Sequence, residues 1–167
     1  MTIQENIDSL GISGDDYQAQ SPISFTVPGV PVAQPRQRHR VVTSGGRTFA
    51  QNYTPAKDPV NTFKAAVRMA AAAAYQGPPL AGPLSVSLTF VMPRPGRLIW
   101  KKREMPRVWA PVKPDRDNLE KSLQDTLNGQ LWIDDSQIVA GEVRKVYAAG
   151  DEQACVEVRV SVLRAGA

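Results

Sequence analysis

Four valines at alternate positions, Val156, Val158, Val160 and Val162, stand between Glu157, Arg159 and Ser161, and they constrain the fold more than any other run. A two-residue apolar period places one set of side chains on one face, which only a β-strand does. The C-terminal part of the chain must therefore enter a sheet. Leu84, Val86, Leu88, Phe90 and Met92 alternate in the same way with Ser85, Ser87, Thr89 and Val91. Ile23, Phe25 and Val27 do so with Ser24 and Thr26, and Pro28-Gly29 ends that strand. Residues 138 to 147 read as a further strand. The turn signal Gly150-Asp151-Glu152 then predicts that it and the valine strand form an antiparallel hairpin.

Two segments change period. Residues 58 to 75 carry Val60, Phe63, Lys64, Val67 and Met69 into the alanines 70 to 74, a helix stopped by Gly77-Pro78-Pro79. A second helix starts near Asp117, with Leu119, Leu123 and Leu127 on its apolar face and Asn128-Gly129 at its end. The order β-α-β-α-β-β predicts an α+β domain, two main helices packed on a mixed β-sheet. At 167 residues the chain suits one domain with an ordinary core. Residues 1 to 20 are expected to be a flexible acidic leader, with Glu5, Asp8, Asp15 and Asp16 and no lysine or arginine, and residues 21 to 167 the folded domain. A single cysteine, Cys155, excludes an internal disulfide and a multi-cysteine zinc site. With no apolar run of membrane length and no signal-peptide pattern, the expected compartment is the cytoplasm.

Net charge is +4, and its distribution matters more than its sum. One basic run holds Arg36, Arg38, His39, Arg40 and Arg47, in a loop or hairpin that turns at Ser44-Gly45-Gly46. Another holds Arg94, Arg97, Lys101, Lys102, Arg103, Arg107 and Lys113, between residues 93 and 114, where Pro93, Pro95, Pro106, Pro111 and Pro114 forbid a helix. Singly, such residues are solvated loop charges. Together they point to phosphate, and so to nucleic acid. His39 is the only histidine, which argues against histidine-metal and Ser-His-Asp chemistry.

Acids crowd where a phosphate-binding chain should avoid them: Asp115 and Asp117, with Asn118 and Lys121 beside them, and after the helix Asp134 and Asp135 in Leu131-Trp132-Ile133-Asp134-Asp135. Each has an ordinary explanation. Asp115 and Asp117 could serve a helix N-terminus, Asp134-Asp135 a polar turn, and Lys121 a surface pair with Asp117 four positions away. The conjunction, in a basic protein, points instead to a divalent cation standing between carboxylates and phosphate.

The string Asp-x-Asp-Asn-Leu-x-Lys, a helix, then Leu-Trp-Ile-Asp-Asp-Ser-Gln resembles the RusA family of Holliday junction resolvases, found in bacteria and especially in prophages and phages. The resemblance extends to Pro35-Arg36-Gln37-Arg38, to Tyr53-Thr54-Pro55 and to Lys145. It implies that Asp115 and Asp117 are metal ligands, Asp135 the third catalytic carboxylate and Lys121 the catalytic lysine. Asp134 stands beside Asp135 in the matching pair, and the second of the two is favoured as the ligand. The implied activity is Mg2+-dependent nicking of branched DNA, with Mn2+ as a substitute metal, by a homodimer encoded by a bacterium, prophage or phage. Arg36, Arg38, Arg40, Lys101, Lys102, Arg103, Lys113 and Lys145 are the expected DNA contacts. Two rivals stand beside this reading. One is a restriction-type metal nuclease built on Pro114-Asp115 and Glu142-x-Arg144-Lys145; the other is a non-catalytic branched-DNA-binding protein.

Overall fold

The computed structural model describes residues 17–19, 21–35, 38–53 and 57–165. In chain order the strands are β1 (Tyr17–Ala19), β2 (Ile23–Pro28), β3 (Arg38–Ser44), β4 (Arg47–Tyr53), β5 (Leu84–Met92), β6 (Val108–Trp109), β7 (Ile138–Ala140), β8 (Val143–Tyr147) and β9 (Cys155–Ala165). Helix α1 (Pro59–Ala74) lies between β4 and β5, and α2 (Arg116–Leu127) between β6 and β7.

A mixed seven-stranded sheet runs β1-β9-β5-β8-β6, with β2 also on β9 and β7 also on β5. β5 is antiparallel to β9 and parallel to β7 and β8. Both helices and the mixed sheet are those expected of an α+β domain. Of the leader, residues 1 to 16 and 20 lie outside the described residues. Residues 17 to 19, expected to be part of its flexible stretch, instead form β1 and pair with residues 163 to 165 of β9.

The expected C-terminal hairpin does not form. Residues 138–147 and the valine strand are neighbours in sequence but not in the sheet, because β5 lies between them. A tight turn joins adjacent strands, whereas residues 148 to 154 bridge two strand spacings, about 10 Å. The link crosses the end of β5, where the Ala148 amide donates to the Met92 carbonyl (2.9 Å). β5 takes this place because Leu84, Val86, Leu88 and Phe90 are buried along one whole face, as a central strand requires. The segment 138–147 is itself split by Gly141. Its φ is +137°, and a Cβ there would stand 1.8 Å from the Val86 carbonyl oxygen, so only glycine lets the backbone pass β5.

The core fills the space between one sheet face and both helices. Val60, Phe63, Val67 and Ala71 recur at helical spacing on α1, as do Leu119, Leu123 and Leu127 on α2. All of these except Val60 pack in one cluster with Val27, the buried face of β5, and Val156, Val158 and Val160. Each such side chain contributes about 1.5–3 kcal/mol of burial. Trp132 is fully buried, and its indole Nε1 donates to Asn128 Oδ1 (2.6 Å), closing the reversal that follows α2. The other sheet face is polar: Ser24, Thr26, Ser87, Thr89, Arg144 and Arg159 line a broad open groove.

Candidate active site

Both main helices begin with an aspartate N-cap in nearly the same extended conformation. Asp58 spends its carboxylate in the usual way, accepting from the Val60 amide at 3.0 Å. Asp115, with φ −68° and ψ 144°, makes no side-chain capping hydrogen bond. Its carboxylate is exposed and left for other work. Asp117 lies in the first turn of α2, where the helix dipole favours an anion, and Lys121 follows one turn later; both are exposed. Among the described residues, no side-chain hydrogen bond or ion pair occupies Asp115, Asp117 or Lys121.

The start of α2 is held from behind. Lys145, in the middle of β8 and half-buried, donates from Nζ to the carbonyl oxygens of Val112 and Pro114, the latter at 2.6 Å. An ammonium has three donors, and two of these are committed to the backbone just before Asp115. Lys145 was expected among the DNA contacts; in the structure its ammonium donates to these two backbone carbonyls. From the other side the Asn118 carbonyl accepts from the Gln34 amide (3.1 Å). Gln34 ends the segment that leads into β3 and β4, an antiparallel pair forming its own two-stranded sheet. Gly45 and Gly46, both at positive φ, make its tight turn. This arm carries Arg38 and Arg40 on β3, and it is rooted beside the acidic helix start. Arg36 lies outside the described residues.

The second acidic pair splits in role. Asp134 caps the short turn of residues 135 to 137: its carboxylate accepts from the Ser136 amide (2.9 Å), and the Gln137 side chain accepts from the Asp134 amide. Hydrogen bonding from the Ser136 hydroxyl, and next from its amide, lowers the Asp134 carboxyl from its ordinary value. Gln137 also donates to the carbonyls of Leu80 and Gly82, fixing the turn against the approach to β5. Asp135 is half-buried and has no such partner among the described residues. Asp134 is therefore committed to its turn, and Asp135 is the member free to act elsewhere.

The proline-rich segment is folded by its own cations. Arg94 donates to the carbonyls of Ala148 (2.7 Å), Leu98 (3.2 Å) and Pro106, drawing the segment onto the sheet end. Arg107 bridges Glu152 and Glu157 and keeps the Glu152 carboxyl low. Trp100 lies beneath two guanidinium groups, 5.7 Å from Arg94 and 4.9 Å from Arg103. Lys101, Lys102, Arg103 and Lys113 remain exposed. Sequence reading missed the roles of Arg94 and Gln137, since nothing in the order of residues separates a tethering arginine from its phosphate-seeking neighbours. In the restriction-type reading the acid would be Glu142. It is already paired with Arg144 through two bonds of 2.8 and 2.7 Å.

Asp115 and Asp117 offer hard oxygen donors, solvent access and no competing partner, a donor set that fits magnesium better than zinc. Among the described residues no three acids, histidines or cysteines come together as a group that could hold a metal ion. Also among the described residues, no helix is long and apolar enough to cross a membrane.

Residues 28–161 match the family described as Endodeoxyribonuclease RusA. The chain is also 32% identical over 143 residues to "Uncharacterized protein YqaN" of Bacillus subtilis (strain 168), an alignment that spans 83% of this chain and 94% of that protein.

Proposed function

The chain belongs to the RusA endodeoxyribonuclease family, and from that premise we propose that it is a magnesium-dependent, structure-selective endonuclease that resolves four-way DNA junctions by paired nicks. The observation that carries this reading is the uncapped Asp115 at the start of α2, with Asp117 and Lys121 unengaged beside it. A carboxylate withheld from a cap it could make is available to a ligand.

The proposed metal donors are Asp115, Asp117 and Asp135. A bound divalent ion supplies charge neutralisation at the phosphate and a water of lowered pKa. Lys121, one helical turn from Asp117, stabilises negative charge developing on the attacked phosphate. Lys145 fixes the backbone that aims Asp115. Arg38, Arg40, Lys101, Lys102, Arg103 and Lys113 hold the phosphates of the junction arms, so binding weakens steeply with salt. A homodimer suits a junction of two-fold symmetry, since two strands of like polarity must be cut.

The test is cleavage of a labelled four-way junction against matched duplex and Y-shaped DNA, with wild type and Asp117→Asn. Metal-dependent symmetric nicking by the wild type alone is expected. Junction binding without nicking, across magnesium and manganese concentrations, would leave a binding protein in its place.

A further inference from the structure

The three tryptophans meet three different fates. Trp132 is fully buried, with its indole Nε1 bonded to Asn128. Trp100 is half-buried beneath the guanidinium groups of Arg94 and Arg103. Trp109 is 69% exposed, and among the described residues neither a cation nor a hydrogen-bond acceptor meets its ring. A bare indole forfeits the burial for which a fold ordinarily uses tryptophan. A single exposed apolar side chain needs no explanation, but the setting of this one supplies a reason.

Its position is fixed by the sheet. On β6, Val108 packs against the main core and stands opposite Tyr147, while Trp109 stands opposite Val146, so its side chain leaves the sheet on the face away from the helices. Among the described residues β6 pairs only with β8, which puts the indole at an edge, open to a planar group from solvent. The next residue, Ala110, donates to the Lys145 carbonyl (3.1 Å), and the Lys145 ammonium holds Val112 and Pro114. One residue of β8 thus sets both the exit of β6 and the backbone before Asp115. Trp109 is six residues from Asp115, at most about 22 Å of chain and so a few nucleotides along a strand. Residues 93 to 114 carry seven lysines and arginines against the single acid Glu104, and Lys101, Lys102, Arg103 and Lys113 are exposed. That charge favours a polyanion and repels the same segment of a second copy. An exposed aromatic set among cations is the pairing that takes a nucleobase on the ring and its phosphates on the charges.

Resting on the proposed function above, we infer that Trp109 is a base-stacking residue: its indole takes a nucleobase that has left the helical stack at a branch point, on the strand whose phosphates Lys113 and the cations at 101–103 hold. Duplex DNA keeps its bases stacked on one another and offers no free face, and freeing one costs unstacking and unpairing. At a branch the stack is already interrupted, so a face is available at lower cost. Trp109 thereby favours branched over unbroken DNA without reading a base sequence, since every base has a π-face.

Tryptophan emission tests this directly. A Trp100→Phe chain keeps an aromatic face for Arg94 and Arg103 and leaves two indoles, the buried Trp132 and the exposed Trp109. In EDTA, a four-way junction is expected to quench the emission and shield it from acrylamide, while matched duplex bound to the same saturation does neither. Trp109→Ala should weaken junction binding by about 10-fold, inside the roughly 5- to 150-fold range of one stacked base, and Trp109→Phe by less. Neither should alter the salt slope or the affinity for duplex, whereas Lys113→Ala should lower the slope by about 1. Equal quenching by duplex and junction overturns the inference, as does unchanged junction affinity in Trp109→Ala. Emission of the DNA-free Trp100→Phe chain that shifts to the red on dilution assigns the ring to a contact between copies and overturns it too. Should Trp109→Ala fail to fold, quenching still decides, because the Trp100→Phe chain retains Trp109. Junction binding by the wild type without nicking in magnesium defeats the proposed activity and leaves the quenching result standing.

Discussion

Replacing Lys145 with methionine removes an ammonium while keeping a stem of similar length and apolar character. In the wild type that ammonium donates to the Val112 and Pro114 carbonyls. A hydrogen bond from a charged group contributes about 1.5–3 kcal/mol when buried. Lys145 is only half-buried, and water replaces part of what is lost, so the two bonds together are set at about 2 kcal/mol. For a domain of this size each kcal/mol moves the melting temperature by about 2–4 °C, which gives a fall of about 6 °C. Cleavage should fall further than stability suggests, because the released backbone carries Asp115. Thermal melts, cleavage rates and junction binding over a salt series together decide the matter. The reasoning predicts a lower melting temperature and an unchanged salt slope. An unchanged melting temperature with a slope reduced by about 1 refutes it, since that is the mark of a lost phosphate contact.

Gly141→Ala should cost about 4 kcal/mol or more, because both the positive φ and the Val86 carbonyl oppose a side chain, while Gly96→Ala, with open space around it, should be near neutral in the same urea melts. Arg107→Gln should destabilise by about 1 kcal/mol at pH 7. The Glu152 carboxyl is held low by Arg107, so this contribution is present above the ordinary carboxylate pKa of about 4.3 and disappears as pH falls through the lower folded value; wild type and variant should converge in melts once pH lies below that value. Asp134→Ala should lower the melting temperature slightly and spare cleavage, whereas Asp135→Asn should abolish cleavage and spare the fold. Equal loss of cleavage in both would show that the capping role of Asp134 is not its main one.

Local patterns carried the elements well and the long-range pairings poorly. The helix expected over residues 58 to 75 spans Pro59–Ala74, because Asp58, the apolar spacing and Gly77-Pro78-Pro79 are all local signals. The alternation of Leu84 to Met92 and of the four valines gave strands for the same reason. Which strand neighbours which is decided by distant partners: the Gly150-Asp151-Glu152 turn signalled a reversal, yet not that β5 would fill the space it opens. The two-residue β6 had no signal among the prolines. At the proposed site, the acids stood out by their types and spacing, but their hydrogen-bond commitments did not. That Asp58 caps and Asp115 does not, or that Asp134 is bound and Asp135 is free, depends on backbone geometry that sequence does not display.

The place of β5 between β8 and β9 also sets an order of events for the chain as it is made. Among the described residues β2 finds its only strand partner in β9, where Val27 faces Val156, so β2 waits through the synthesis of everything that lies between them. Contacts this distant in sequence slow folding and leave apolar edges open meanwhile. A ribosome-bound fragment ending before Cys155 would lack the strand that joins both halves of the sheet, and early release should yield insoluble chains. Loss of β9 thus removes the partner of β1, β2 and β5 at once.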